Sequence, residues 1–393
     1  MKVVQINAVC GTGSTGKICM AVSELLTGKG IENYVLCSSG AKGFSNGIPC
    51  SSKLYTMIQA LKSKILGNYG FNSYWETKKM LAHLEKIQPD VVHLHNIHGH
   101  DCHLGMLLTY LQKKRIRTYW TFHDCWVFTG YCPHYDMASC SKWKVSCHTC
   151  PQKKQFSWLF DRSQEMFERK KRLLADLQLT IITPSHWLAQ QVNESFLSKY
   201  AVKVIHNGID LTVFCPRRSD FRSRYGLKEK YIVLGVAFDW GPRKGLDVFA
   251  ALAGRLDERF RIVLVGIGDP IEEQLPDRII AISHTNNQTE LAEIYSAADV
   301  FVNPTREENY PTVNMEAIAC GTPVVTFRTG GSPEIPDNQT GCVVDRDDVD
   351  AMLGEIVRIC TQKPFSQEAC MRRAVEFDKE KCFKEYLSLY ENG

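Results

Sequence analysis

The stretch Glu308-Asn-Tyr-Pro-Thr-Val-Asn-Met-Glu316, followed at once by Ala317-Ile-Ala-Cys-Gly321-Thr-Pro-Val-Val325, sets two carboxylates eight positions apart. Pro311 suits the first turn of a helix, where its missing amide is not needed, and Gly321 suits the helix end. The apolar run Pro323–Thr326 then reads as a buried strand. The first carboxylate therefore sits in a loop and the second on a short helix. Both are expected at the carboxyl edge of a parallel sheet, where open α/β sheets bind their ligands. An ionised carboxylate accepts from two hydroxyls at once, which suits a sugar or a ribose. The plainer reading is one solvated helix carboxylate and one loop carboxylate.

Outward from this stretch, strands and helices alternate along the whole chain. Val3–Ala8, Tyr34–Ser38, Pro89–His95, Arg117–Phe122, Leu179–Pro184 and Val202–His206 read as strands, and Lys17–Leu26 as an amphipathic helix. The pattern restarts with strands at Tyr231–Ala237, Arg261–Gly266, Ile279–Ile282 and Val300–Asn303, and a helix at Gly245–Ala253. Repeated β-α units predict parallel, doubly wound sheets. Two series predict an α/β chain of two Rossmann-like domains facing across a cleft. We place the linker near Lys203–Asp210. This gives a first domain over 1–203 with a cysteine-rich insertion near 125–150, a second over 204–375, and a final helix within 376–393 returning to the first.

With 393 residues, 44% hydrophobic and 23% charged, the chain can bury two ordinary cores. Its net charge of +4 hides an asymmetry: residues 1–200 hold 24 Lys and Arg against 13 Asp and Glu, and the remainder is acidic. A basic first half suggests an anionic partner for that domain. The N-terminus enters a strand directly, without a signal-peptide pattern, and no apolar run reaches the ~18 residues of a membrane span. Sixteen cysteines without an export signal imply reduced thiols, a cytoplasmic location, and metal sites before disulfides.

Gly235-Val-Ala-Phe-Asp-Trp-Gly-Pro-Arg243-Lys244-Gly245 follows the first strand of the second series. Two cations there would neutralise a departing diphosphate, whose charge grows as its bond to the sugar breaks. Arg243 offers a planar fork and Lys244 a point charge. Such a pair makes a catalytic divalent metal unnecessary. Asp345-Arg-Asp347 looks like a metal-binding D-x-D, but Asp347 and Asp348 better suit the start of the helix that follows. Gly11-Thr-Gly13-Ser14-Thr-Gly16-Lys17-Ile18 joins the first strand to the first helix. Ile18 cannot hold the magnesium of a P-loop, and Leu36-Cys37-Ser38 lacks the acid of a dinucleotide site. An anion-approaching loop at Gly13 and Ser14, or a ligand-free turn, remains.

His123, in Thr121-Phe-His123-Asp124-Cys-Trp126, ends a strand of the first domain and is either a cleft histidine or a structural cap. His93, His95, His98, His100 and His103 read as cleft-edge or structural residues rather than metal ligands. Five of the sixteen cysteines fall between residues 125 and 150, with Cys147-His-Thr-Cys150 in zinc-knuckle spacing. Cys132, Cys140, Cys147 and Cys150, with Cys125, His134 and His148 as substitutes, are therefore the candidate ligands of a structural zinc, against a set of free thiols. Ser52–Gly67 reads as a basic amphipathic helix, able either to pack on the core or, with Lys113, Lys114, Arg115, Arg117 and Lys170–Arg172, to dock on an anionic membrane.

The E-x7-E stretch, Arg243-Lys-Gly245 and His123 resemble glycosyltransferase family 4. The resemblance spans nearly the whole chain and is strongest from Arg243 to Glu334. It implies the GT-B fold and transfer of a sugar from a nucleotide-diphosphate donor with retained configuration and no catalytic metal. Carried over, Glu308 contacts the donor sugar, Glu316 the ribose, Arg243 and Lys244 the diphosphate, and His284 edges the base. Gly13 and Ser14 then lie near the diphosphate and acceptor, and His123 hydrogen-bonds the donor sugar or its phosphate. The glycines usual after the first glutamate are Asn309, Tyr310 and Pro311 here, so Thr312 and Val313 inherit any phosphate contact. That departure, Thr329-Gly-Gly-Ser-Pro-Glu334 and the cysteine insertion resemble a subset that builds bacterial capsule and exopolysaccharide of the colanic-acid type. A saccharide or lipid-linked acceptor is implied. The rivals are a sugar-nucleotide epimerase or hydrolase of the same fold and a non-catalytic zinc-knuckle nucleic-acid or scaffold protein. Scattered basic residues without an aromatic stacking pattern argue against nucleic acid.

Overall fold

A computed structural model describes residues 1–41, 43–268 and 275–392 of the chain. Its contacts divide into two compact units, Met1–His206 with the stretch from Phe383 onward, and Asn207–Cys382.

In the first unit, among the described residues, seven strands form one sheet. They are β1 (Lys2–Val9), β2 (Glu32–Ser39), β3 (Gly47–Pro49), β4 (Val91–Leu94), β5 (Arg117–Thr121), β6 (Leu179–Thr183) and β7 (Val202–Val204). Their spatial order is β3-β2-β1-β4-β5-β6-β7, and every pairing is parallel. Val3, Val4, Val91, Val92, Ile181 and Ile182 are fully buried, as expected of strands covered on both faces. Helix α1 (Gly13–Gly28) follows β1, and α2 (Lys53–Leu66) and α3 (Tyr74–Ile87) precede β4. The C-terminal helix Lys379–Asn392 ends in this unit. Tyr119 Oη there donates to the Leu389 carbonyl at 2.7 Å, and Tyr390 Oη lies 2.5 Å from His93 Nδ1.

The second unit carries β8 (Tyr231–Val236), β9 (Phe260–Val265), β10 (Ile279–Ile282), β11 (Val300–Asn303), β12 (Val324–Phe327) and β13 (Gly341–Val344). The order is β10-β9-β8-β11-β12-β13, again wholly parallel. In each sheet the chain winds outward from its first strand in both directions. The reversal falls between β1 and β4 in one unit and between β8 and β11 in the other. Loops diverge at such a point and leave a crevice at the carboxyl ends of the strands.

Two strands, β3 and β13, escape the sequence reading. β3 is three residues long and ends on a proline, which is tolerated at a sheet edge. β13 is short and half-exposed, so it carries neither a long apolar run nor clean alternation.

Candidate active site

Within the second unit, the loops after β8 and β11 meet at the point of reversal. Pro242–Lys244 forms one turn of 3-10 helix, with Gly245 closing it at φ 73°. A Cβ at Gly245 would stand 2.4 Å from the Pro304 carbonyl oxygen, so only glycine lets the two loops approach this closely. The Arg306 amide donates to the Arg243 carbonyl at 2.9 Å, and Thr305 Oγ1 donates to the same oxygen at 3.3 Å. Arg306 also grips Asp247 and Asp347 at 2.7 and 2.6 Å, bracing the loop from outside.

This scaffold brings Lys244 Nζ to 2.6 Å from Glu308 Oε2, with both side chains about four-fifths buried. The Asn309 amide donates to the other carboxylate oxygen at 3.0 Å, and Arg243 Nη1 donates to the Glu307 carbonyl at 3.4 Å. Gly330, after β12, lies against the Glu308 carbonyl: a Cβ there would sit 1.7 Å from that oxygen, on a residue with φ 53°. Gly330 falls within the family-like Thr329–Glu334 stretch, where nothing in the sequence assigns it a task. Its signal is the glycine pair itself.

The helix Thr312–Ala319 starts behind Pro311, with Thr312 and Val313 in its first turn, where amides lack an intrahelical acceptor. Glu316 lies one turn further on and accepts a hydrogen bond from the Tyr295 hydroxyl at 3.2 Å. His284 stands apart. It is exposed in the loop after β10, two strands from β8, with Ser283 Oγ at 3.0 Å from its Nδ1. Asp345 pairs with Arg328 and Asp347 with Arg306, while Asp348 caps the helix Val349–Gln362 through the Ala351 amide. Those acids serve surface ion pairs and a helix cap.

In the first unit, Gly13 and Ser14 open α1 and are exposed; Thr12 is its N-cap but makes no side-chain capping bond. A cavity of about 680 Å³ at the carboxyl ends of β1 and β2 is lined by Gly11, Thr12, Ser38, Ser39, Ser51 and Lys53. His123 follows β5 as the outer member of a buried polar chain. Gln5 Nε2 donates to the Cys19 carbonyl at 3.0 Å, which turns Gln5 Oε1 toward His95 Nε2 at 3.1 Å. His95 Nδ1 lies 3.1 Å from His123 Nε2. Burial pushes the His123 imidazole down to about 4, with Asp124 resisting, and holds His95 far below its ordinary range. Beside them His98 Nε2 pairs with Asp124 at 2.8 Å. Although burial opposes ionisation of both groups, this contact raises His98 and holds Asp124 at about 2. Gln5 lies in β1 and His95 at the end of β4, far apart in sequence, which is why spacing does not reveal their link to His123.

Cys132, Cys140, Cys147 and Cys150 line one small cavity of about 20 Å³, with His148 at its border. The Gly130 amide donates to Cys147 Sγ at 3.1 Å. Among the described residues no three of these sulfurs lie within 4.8 Å of one another. A tetrahedral zinc with Zn–S of about 2.3 Å would draw them to roughly 3.8 Å.

A family model described as Glycosyltransferase Family 4 matches residues 16–213, and one described as Glycosyl transferases group 1 matches 229–362. An Escherichia coli (strain K12) protein named as a colanic acid biosynthesis glycosyl transferase, WcaC, is 21% identical, with 100% of both chains covered. The structure resembles sucrose-phosphate synthase from Thermosynechococcus elongatus with a TM-score of 0.72, at 19% identity over 100% of this chain and 98% of the other. It resembles Anabaena HepE in complex with UDP-glucose with a TM-score of 0.69, at 13% identity over 100% of both chains. The two parallel sheets are thus of the GT-B type, and the chain, a transferase enzyme, belongs to glycosyltransferase family 4.

Proposed function

We propose that this enzyme moves a sugar from a nucleoside-diphosphate donor to a saccharide acceptor of a cell-surface polysaccharide, retaining the anomeric configuration without a catalytic metal. The observation that carries the reading is the 2.6 Å contact of Lys244 with Glu308 at the point of strand reversal, beside Arg243. Without ligand, each charge neutralises the other in a half-dry setting. With donor bound, the lysine and arginine face the diphosphate and the glutamate accepts from sugar hydroxyls. The cations then interact most strongly when the leaving group is most negative, so they lower the barrier rather than only the ground state. Glu316 accepts from the ribose hydroxyls, Thr312 and Val313 offer helix-terminal amides, and His284 borders the base.

In this reading the bond between the anomeric carbon and the phosphate oxygen breaks as the acceptor oxygen bonds to the same face of that carbon. The acceptor's proton passes to the departing phosphate oxygen. In the first unit, His123 contacts a substrate hydroxyl, and Gly13 and Ser14 border the acceptor-side cavity. The resemblance to WcaC and HepE supports a polysaccharide product and a nucleotide-sugar donor. We further infer that the four cysteines take up a structural zinc that braces the loop after β5.

The test is incubation of the purified chain with UDP-, GDP- and ADP-sugars, reading nucleotide stabilisation and product stereochemistry. Stabilisation by at least one nucleoside diphosphate and transfer with retention are expected. Inversion, or activity that requires a divalent cation, would overturn the reading.

A further inference from the structure

Helix α2 is turned inside out for a water-soluble protein. Its sequence, Lys53-Leu-Tyr-Thr-Met-Ile-Gln-Ala-Leu-Lys-Ser-Lys-Ile-Leu66, places Leu54, Met57, Ile58, Leu61 and Ile65 on one stripe. A helix normally buries such a stripe. Here Leu54 and Met57 are each 69% exposed and Leu61 51%, while polar Gln59 and Ser63 on the opposite side are 6% and 1% exposed. Those two polar residues face protein: Ser63 Oγ accepts from Asn72 Nδ2 at 2.6 Å and meets His100 Nδ1 at 3.1 Å.

The exposed apolar surface continues past both ends of the helix. At its C-terminal end the Trp158 amide donates to the Lys64 carbonyl at 2.7 Å, and Trp158, Leu159 and Phe160 all stand in solvent. Toward its N-terminal end the Tyr55 hydroxyl meets the backbone of Trp75, whose ring, like that of Tyr74, is exposed. Isolated exposed apolar residues are ordinary, but five on one helical stripe, with three more in the loop hydrogen-bonded to its end, mark an interaction face.

The charges select the partner. At ~3.6 residues per turn, Lys53 and Lys64 fall on one margin of the stripe and Lys62 on the other, and the helix carries no acid. Lysines bordering an apolar face can extend their ammonium groups to phosphate while their stems stay in the apolar layer. Tryptophan and tyrosine at the rim suit the boundary between acyl chain and headgroup. A second copy of the chain docked through α2 would set these lysines against each other with no carboxylate on the helix to answer them. We propose that the α2 face, with the Trp158–Phe160 loop, lies in the plane of an anionic lipid bilayer. Lys53 and Ser51 also line the cavity at the ends of β1 and β2, so the docked helix borders it. An acceptor anchored in that bilayer could enter there. This corollary rests on the function proposed above, whereas the docking does not.

The test uses the full chain and sedimentation with vesicles of phosphatidylcholine, with and without phosphatidylglycerol. Binding is expected to the anionic vesicles, weakened by salt, and not to the neutral ones. A Leu54→Gln, Met57→Gln, Leu61→Gln variant should bind at least ~10-fold less while keeping its melting temperature and its response to nucleoside diphosphates. Lys62→Gln with Lys64→Gln should weaken binding and flatten its salt dependence. The proposal is overturned if the wild-type chain ignores anionic vesicles or the triple variant binds as tightly as wild type. It is equally overturned if ultracentrifugation finds a dimer that the triple variant abolishes and the vesicles do not compete with. Loss of vesicle binding with intact nucleotide response, and the reverse, separate this proposal from the catalytic one.

Discussion

His95 Nδ1 and His123 Nε2 stand 3.1 Å apart, with His95 fully buried and His123 partly so. Since Gln5 Oε1 can only accept, His95 Nε2 must carry the hydrogen of that bond, and its Nδ1 carries the lone pair. His123 therefore donates from Nε2 to His95. Its Nδ1 then carries the lone pair, which under the proposed function accepts from a substrate hydroxyl.

This arrangement predicts how stability changes with pH. His123 is held at about 4 and His93 at about 3, both mainly by burial, and His95 is lowered too. Each takes up its proton near pH ~6.5 when unfolded, so the unfolded chain binds more protons between there and pH 4. Stability must fall as pH falls through that window, by on the order of 3 kcal/mol for His123 alone, at 1.36 kcal/mol per unit. His98 acts oppositely: its raised value contributes stability that is complete below pH ~6.5 and lost as pH rises past its folded value. Burial lowers His100, to about 4, and His103 as well, so five lowered rings outweigh one raised ring. Urea midpoints should drop from pH 7 to pH 4.5, and His123→Gln should flatten the drop; a midpoint unchanged across that range would contradict the assignment.

Lys244→Ala and Glu308→Gln should each reduce kcat by about 10²- to 10³-fold, the usual loss when one preorganised charge is removed from a reacting centre. Both variants should remain folded by circular dichroism, since each removes a single contact between two side chains about four-fifths buried. Turnover near wild type in either variant would remove that residue from the proposed chemistry.

Gly330→Ala tests the packing beneath Glu308. The new methyl would overlap the Glu308 carbonyl in a backbone conformation that alanine resists by roughly 1–2 kcal/mol before any clash is counted. A lowered melting temperature and a reduced kcat should appear together. Wild-type values for both would mean that the loop relaxes freely.

For the cysteines, metal analysis of protein purified without added metal should find about one zinc per chain. Cys147→Ser with Cys150→Ser should lose it, and chelation should lower the melting temperature of the wild type alone. A zinc-free chain indifferent to chelator would leave the four as free thiols.

The local chemistry of this protein was legible in one dimension. Apolar runs fix buried strands, Gly321 and Pro311 bracket a helix, and Arg243-Lys-Gly245 announces a cationic turn, because each depends on neighbours within one or two turns of chain. The register of the site was not legible. Lys244 and Glu308 meet across 64 positions of sequence because β8 and β11 lie side by side, and Gln5, His95 and His123 meet because β1, β4 and β5 do. Strand order is settled by packing between distant segments, and no spacing rule encodes it. The orientation of α2 belongs to the same category. Its periodicity established that it has two faces, but only the surrounding structure decided that Gln59 and Ser63 turn inward and leave the leucines in solvent.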